Sequence, residues 1–163
     1  MEPQSFSLTP PLILNRLITP VRICIAHIPS SGKPHPPVLT INALWDTGAT
    51  CSTISKNVAS TLGLTPFRFE DVYHAQGMGK AKVYKANIIL PNDIEFPALS
   101  VLEGDLHGCD ALIGMDIITQ GDFALTHRDG KTVFSFQIPS THLYDFVKQS
   151  AAANAKAKPK KKR

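Results

Sequence analysis

The sequence predicts an all-β fold, a barrel or a sandwich, from three observations. Short runs rich in β-branched and aromatic residues recur along the chain, and turn residues separate them. Only residues 56–62, 116–119 and 142–155 have helical character. With 163 residues, 43% of them hydrophobic and 18% charged, the chain is long and apolar enough for one soluble domain with its own core.

The predicted strands alternate with recognisable turn and cap sequences. Val21–Ala26 is alternating and β-branched, and a loop with four prolines, residues 29–37, follows it. Ser55 is suited to cap a helix over residues 56–62, which stops at Gly63. The other strand-like runs are residues 38–45, 51–54, 67–74, 81–90, 96–102, 111–116, 123–126 and 132–138.

The two ends of the chain differ from its centre. We expect residues 1–20, which are Pro-rich, to form a loosely attached extension, with packing of residues 12–18 on the body or on a partner as the alternative. We expect residues 21–139 to form the domain and residues 140–163 to form a helical or disordered basic tail. Removing the six basic residues of the tail from the total of 17 leaves 11 against 13 acidic ones, so the pI near 9.0 belongs to the tail.

The basic tail leaves several interpretations open. It is a solvated disordered end, an expression remnant, a nuclear-import signal or a tether for nucleic acid. A nucleic acid would be bound through Lys156, Lys158, Lys160, Lys161, Lys162 and Arg163.

The cysteines and the N-terminus indicate the compartment. Three cysteines, Cys24, Cys51 and Cys109, cannot form a complete disulfide framework, which favours a reducing environment. The N-terminus lacks the basic start of a secretory signal, and no apolar run is long enough to span a membrane. We therefore expect a cytoplasmic protein without a membrane partner.

Three motifs in a fixed order carry the chemical information. An apolar strand, residues 41–45, runs directly into Asp46-Thr47-Gly48-Ala49, where a glycine permits close backbone approach and a small alanine leaves room for a ligand. A glycine-rich hairpin tip follows at residues 76–80. A second apolar strand then ends in Leu112-Ile113-Gly114.

Over residues 21–139 this order resembles the retroviral-type, or retropepsin-like, aspartic proteases. The resemblance implies a closed barrel with one short helix and a flap hairpin, acting as a two-fold homodimer. It assigns the catalytic role to Asp46 and places Thr47, Gly48 and Ala49 in its support. It further implies a substrate-binding flap at Gly77, Met78 and Gly79, and a loop behind the site formed by Leu112, Ile113 and Gly114.

A homodimer is required because this chemistry uses two carboxylates and the sequence has no second Asp-Thr-Gly or Asp-Ser-Gly. We therefore expect an aspartic endopeptidase in which two Asp46 carboxylates activate a water that attacks extended polypeptides, without metal or cofactor. Two alternatives stay open: a catalytically silent dimer that binds peptides, and a nucleic-acid-binding protein whose β domain serves for dimerisation.

Several residues depart from the pattern or suggest other roles. Trp45 is larger than the aliphatic residue usual before the family's aspartate, and the hairpin of residues 123–138 replaces the family's short terminal strand. Asp116 is expected to start a helix or face solvent rather than to act as a second acid. Cys51 is expected to be a small core residue, with redox sensitivity as the alternative. His107-Gly108-Cys109 lacks a second ligand pair, so no metal site is expected.

Overall fold

The computed structural model describes residues 2–28, 32, 34–74 and 77–157. Within these ranges the chain is mostly β, with ten strands, three α-helices and one 3-10 turn over Pro91–Asp93. The strands are β1 (Gln4–Leu8), β2 (Ile18–Ile25), β3 (Leu39–Trp45), β4 (Thr53–Ser55), β5 (Arg68–His74), β6 (Gly77–Ile89), β7 (Glu95–Gly104), β8 (Ala111–Ile113), β9 (Asp122–Arg128) and β10 (Lys131–Ile138). The helices are α1 (Lys56–Thr61), α2 (Met115–Ile118) and α3 (Phe146–Ala157).

Seven strands form the larger sheet in the order β2-β3-β8-β4-β7-β6-β5. β2 also pairs with β6, so the pairing returns to the strand at which it started. β3 runs parallel to β8, and β4 runs parallel to β7. These parallel pairs bring together segments that lie far apart in sequence, and they position the site described below.

The core lies between the inward faces of these strands. Alternate positions of β2 and β3 are buried, among them Val21, Ile23, Ile41 and Ala43. This is the pattern expected of strands with one face toward a core. The register between β6 and β7 shifts at Ala86, which marks an irregularity of the kind that bends a sheet.

A second sheet of three antiparallel strands, in the order β1-β10-β9, packs against the first. Here the structure corrects the prediction that residues 1–20 are loosely attached. β1 pairs with β10 from Gln4↔Ile138 to Leu8↔Phe134, and Phe6 is buried. The segment belongs to the folded body because its phenyl ring enters the core and its backbone completes a sheet.

An aromatic cluster joins the two sheets at Trp45. Its indole ring lies 4.9 Å from the ring of Phe134 and 5.1 Å from that of Phe136, measured between centroids. Phe6 and Phe123 contact the same indole at 6.1 and 5.9 Å. Such edge and tilted contacts are favourable beyond their buried area. The size of Trp45 is therefore explained by the final hairpin, against which it packs.

The helices follow the sequence signals, and two of them are additional to the single short helix that the resemblance implies. Ser55 caps α1 by accepting a hydrogen bond of 3.3 Å from the Val58 amide. α2 and α3 also form, close to the two further helical stretches expected from sequence. No helix in the described part of the chain is long and apolar enough to cross a membrane.

The flap motif lies in a strand rather than at a hairpin tip. Backbone pairing of β5 with β6 continues to His74↔Gly77, so Gly77, Met78 and Gly79 belong to β6. The connection between the two strands is residues 75–76, which include the predicted tip residue Gln76 and lie outside the described residues. The basic residues from Lys158 to Arg163 also lie outside them; of the six, Lys156 is described, in α3.

Candidate active site

Asp46 is the first residue after β3, at the point where β3 and β8 end side by side. The two strands are parallel, with Trp45 opposite Ile113, and the Asp46 amide donates a hydrogen bond of 3.0 Å to the Ile113 carbonyl. The loop that carries the aspartate is thus an extension of a buried strand pair. Its backbone is fixed by the sheet, and the residue is half-buried.

A tight turn orients the carboxylate. The Gly48 amide donates a hydrogen bond of 2.8 Å to Asp46 Oδ1, and the Ala49 amide donates one of 3.2 Å to the Asp46 carbonyl. A Cβ atom at Gly48 would lie 3.2 Å from Oδ1, which is tighter than an ordinary contact. Glycine at this position therefore lets the amide approach the carboxylate. Thr47 is exposed beside it.

Behind the turn, Ser52 and Asp116 fasten the loop to α2. Ser52 Oγ donates to Asp116 Oδ1 at 2.7 Å, and the Ser52 amide donates to Oδ2 at 2.9 Å. The same Oγ accepts a hydrogen bond of 3.1 Å from the Gly114 amide. Ser52 is fully buried, so each of these polar groups depends on the others for a partner.

Asp116 has one role that the sequence predicts and one that it does not. It lies in the first turn of α2, as the sequence predicts, and accepts a hydrogen bond of 3.0 Å from the Ile117 amide. Its pairing with Ser52 was missed, because the two residues are 64 positions apart and no local signal links them. Asp116 is thus a structural carboxylate that holds the aspartate loop.

Gly114 allows the closest contact in this region. A Cβ atom there would lie 2.6 Å from the Cys51 carbonyl carbon and 2.8 Å from its oxygen, closer than real side chains come. Two backbone hydrogen bonds join the same segments. The Met115 amide donates to the Ala49 carbonyl at 2.8 Å, and the Asp116 amide donates to the Thr50 carbonyl at 3.2 Å. The segment that begins at Leu112 therefore packs directly behind the Asp46 loop.

Asp46 opens onto a cleft of about 840 Å³, between its own loop and the β5–β6 hairpin. Ala49, Leu112 and Gly79 line the cleft with it, so the structure brings together members of all three sequence motifs. Gly77, Met78 and Thr47 are not among the lining residues, and the Met78 side chain is 68% exposed. Ile113 and Gly114 are buried behind the cleft.

Glu103, which lines the cleft, belongs to a hydrogen-bonded group of three side chains that sequence reasoning did not identify. Glu103 accepts a hydrogen bond of 2.5 Å from the Tyr84 hydroxyl and forms an ion pair of 3.1 Å with Lys82. Burial, together with the hydrogen bond to Glu103, raises the pKa of Tyr84 to about 12. Burial acts to raise the pKa of Glu103, but the hydrogen bonds from Tyr84 and Lys82 outweigh it and leave that pKa below its ordinary value.

Cys51 also lines the cleft. Burial and the nearby charge of Asp116 raise the pKa of its thiol, which keeps it protonated at neutral pH. A protonated thiol is a poor nucleophile and is slow to oxidise. Cys51 is half-buried and lies outside the hydrophobic core, so it is not the small core residue that the sequence led us to expect.

The fold and the turn at the end of a parallel strand pair define the class: they are those of the aspartic proteases of retroviral type. The chain belongs to the retropepsin-like aspartic protease family, since residues 38–120, half of its length, match the family model described as "gag-polyprotein putative aspartyl protease". No curated protein matches the sequence.

Solved structures that are similar in fold to this chain include two proteases and one protease-like domain. A retropepsin-like aspartic protease from Rickettsia conorii is 14% identical with a TM-score of 0.48, and the match covers 83% of this chain and 94% of that one. The protease of Simian Foamy Virus (mac) is 17% identical with a TM-score of 0.40, covering 62% and 92%. The retroviral protease-like domain of Ddi1 from Leishmania major is 18% identical with a TM-score of 0.39, covering 76% and 96%.

Proposed function

We propose that the protein is an aspartic endopeptidase that hydrolyses extended polypeptides as a homodimer, with one Asp46 from each chain at its catalytic centre. The observation that carries the proposal is the position of Asp46. It follows a buried parallel strand, its Oδ1 is held by the Gly48 amide, and it opens onto the cleft beneath the β5–β6 hairpin.

The chemistry needs a second carboxylate beside the first. When two carboxyl groups lie close together they do not both ionise readily, so they share one proton, as the aspartic-protease dyad does. The ionised member takes a proton from the water held between them, and that water attacks the peptide carbonyl. The protonated member donates to the developing oxyanion, and a proton is later passed to the leaving amine. The carboxyl pair then returns to its starting protonation state, and no covalent intermediate forms.

The second carboxylate would come from a second chain. The sequence contains one Asp-Thr-Gly, and Thr47 and Gly48 are exposed beside the half-buried Asp46. A two-fold axis next to this turn would bring two copies of the same surface together, which is the usual geometry of a homodimer. In this arrangement Thr47 would hydrogen-bond across the dimer and brace the two turns.

The substrate would bind in an extended conformation. β5 stands at the edge of the larger sheet, where β6 is its neighbour, and Glu70, Asp71 and Val72 of this strand line the cleft. A strand edge with free backbone groups can pair with a peptide. In this mode the hairpin acts as the flap, with Gly77, Met78 and Gly79 near its end.

The charge of the cleft favours a particular class of peptide. Asp71 and Asp105 line it without a salt-bridge partner in the described part of the chain, whereas Glu103 is paired with Lys82. Lys80 is the lysine among the lining residues. The excess of negative charge supports a preference for sequences with Lys or Arg near the cleaved bond over sequences with Asp or Glu.

The test compares wild type with Asp46→Asn on a mixed peptide library from pH 4 to 7, with products identified by mass spectrometry. The substitution keeps the size of the side chain and removes its ionisable group. Asp129→Asn is the matched control, because it makes the same change at an exposed aspartate that does not line the cleft. We expect wild type and the control to cleave and Asp46→Asn to be inactive. Cleavage by Asp46→Asn at the wild-type rate, or no cleavage by wild type, would contradict the proposal.

A further inference from the structure

We propose that Cys24, His27 and His35 form a Zn²⁺ site at the end of the sheet remote from Asp46. The Cys24 sulfur and one nitrogen of each imidazole lie within 4.8 Å of one another. The centroids of the two imidazole rings are 4.4 Å apart. Thiolate sulfur and imidazole nitrogen are the donors that Zn²⁺ takes most often in proteins.

The fold explains why these three residues meet. Cys24 is near the end of β2, where its backbone faces Asn87 of β6, and its side chain is fully buried. His27 lies two residues after the last residue of β2, and it forms a Cys-x2-His pair with Cys24. His35 comes from the connection that leads into β3. A buried strand thus supplies the sulfur, and the connection that leaves it supplies both imidazoles.

The separation of the donor atoms suits a tetrahedral ion. Cys24 Sγ lies 3.8 Å from His27 Nδ1. Zinc bonds of about 2.3 Å to sulfur and about 2.0–2.1 Å to nitrogen, at a tetrahedral angle, place the two ligand atoms about 3.6 Å apart. The observed distance needs little adjustment. His35 is exposed, so its ring has room to move the remaining distance toward the ion.

The second nitrogen of the His35 imidazole already has a suitable outer partner, and a carboxylate lies near the second nitrogen of His27. His35 Nδ1 lies 2.7 Å from the Pro36 carbonyl, to which it donates, and this leaves Nε2 unprotonated for a metal. His27 Nε2 lies 3.9 Å from a Glu95 carboxylate oxygen, which leaves Nδ1 on the side of Cys24. A backbone carbonyl or a carboxylate behind the ring is the usual support of a zinc-binding histidine.

Asn87 would not lose its own hydrogen bonds when the ion binds. Its Nδ2 lies within 2.9 Å of His27 Nδ1, of the His27 carbonyl and of Glu95 Oε1. An amide has two N–H bonds for these three acceptors. One acceptor is therefore in surplus, and His27 Nδ1 can bind the metal while Asn87 keeps the other two. On binding, the Cys24 thiol releases its proton to solvent and a water completes the four ligands.

The site would act on the fold and not on the reaction. β2 and β3 are antiparallel, with Ile23 opposite Leu39 and Ile18 opposite Leu44. Cys24 therefore lies at the end of this pair where β3 begins, and Asp46 lies at the other end, roughly 25 Å along the strand. Zinc would fix the connection between β2 and β3 and stabilise the folded state by mass action.

The experiment measures metal binding by the full chain, purified with chelator and titrated with Zn²⁺ or Co²⁺. We expect one ion per chain, a thiolate-to-cobalt charge-transfer absorption, and a rise in Tm with Zn²⁺. His35→Ala, a change at an exposed residue, is expected to weaken Zn²⁺ binding by about tenfold or more, and Cys24→Ser to abolish the charge-transfer band. Cys109→Ser is the matched control and should bind as wild type does.

The readouts separate loss of the site from loss of the fold. The fluorescence of Trp45, the one tryptophan of the chain, reports whether a variant retains its aromatic cluster. If Cys24→Ser fails to fold, Zn²⁺ binding by His35→Ala still tests the proposed site. Absence of binding by wild type at micromolar Zn²⁺, binding that His35→Ala leaves unchanged, or binding that Cys109→Ser removes would each overturn the proposal.

Discussion

Ser52 Oγ donates a hydrogen bond of 2.7 Å to Asp116 Oδ1, and through this contact the loop that carries Asp46 is joined to α2. The hydroxyl also satisfies the Gly114 amide, so one buried side chain bridges the two segments that form the back of the site. The position of Asp46 therefore depends on a serine six residues away and a carboxylate from the other half of the chain. This dependence can be tested separately from the chemistry.

Replacing Ser52 by Ala should loosen the site without touching the cleft. The change leaves a buried amide at Gly114 and one carboxylate oxygen of Asp116 without this partner, which costs about 1–3 kcal/mol of unfolding free energy. Urea denaturation followed by Trp45 fluorescence measures it. Ser60→Ala, at an exposed position of α1, is the control and should change stability by less than about 0.5 kcal/mol. Equal effects of the two substitutions would show that the bridge is unimportant.

β1 should contribute to stability as a core strand does. Phe6→Ala removes a buried ring from the aromatic cluster around Trp45 and is expected to cost about 3–5 kcal/mol. Phe69→Ala is the matched control, because that ring is 64% exposed. Denaturant unfolding of both variants measures the two losses of unfolding free energy. A Phe6 variant as stable as the control would mean that residues 1–20 are a dispensable extension after all.

The segment after β10 should stay anchored down to mildly acidic pH through Asp122. Hydrogen bonds from Ser140, Thr141 and His142 hold the pKa of the Asp122 carboxyl well below its ordinary value of 3.8. A lowered folded-state pKa means that the stabilisation is fully present above pH 3.8 and is lost only as the pH falls through the lower value.

Hydrogen exchange measures this anchoring at the amides of Thr141 and His142, which donate to Asp122 Oδ2 at 2.9 and 3.0 Å. We expect protection that is constant from pH 4 to 7 in wild type and reduced severalfold at every pH in Asp122→Asn. Asp129→Asn, at an exposed turn, serves as the control. Protection that falls in wild type between pH 7 and 5 would exclude the assignment to Asp122.

Met78 should affect substrate binding far more than stability. Its side chain is 68% exposed on the β5–β6 hairpin, so Met78→Ser removes little core packing. If the hairpin closes over a peptide, the variant should raise KM while the unfolding free energy stays within about 0.5 kcal/mol of wild type. Steady-state kinetics on a cleaved library peptide measures this. An unchanged KM would argue against Met78 as part of the flap.

The strands and the position of Asp46 could be predicted because their signals are local. The alternation in β2 and β10, the cap at Ser55, and the apolar run that ends at Asp46 each lie within a few consecutive residues. Secondary structure and the aspartate turn follow from such short-range patterns.

β1 was missed because the prolines around it weaken the strand signal. Pro3 precedes it and Pro10 and Pro11 follow it, and this density favours an irregular segment. The strand forms because of tertiary contacts, namely its pairing with β10 and the burial of Phe6. Neither contribution is visible in a window of a few residues.

The contacts that complete both sites cross long stretches of sequence. Ser52 reaches Asp116 across 64 residues, and Asn87 reaches His27 across 60. The parallel pairings of β3 with β8 and β4 with β7 carry no local signal either. The proposed second carboxylate lies in another chain. In such cases sequence patterns indicate the type of chemistry, but the fold is needed to identify which residues contact one another.

The most direct test of a catalytic centre shared by two chains is a mixing experiment. Wild type is refolded together with an equal amount of Asp46→Asn, and activity is measured per wild-type chain. Random pairing leaves about one quarter of the dimers with two native Asp46 residues, so that activity should fall to about half. Asp129→Asn as the mixing partner is itself active, so activity per wild-type chain should rise to about twice the wild-type value. Activity per wild-type chain that is unaffected by Asp46→Asn would contradict a shared catalytic pair and would mean that each chain works alone.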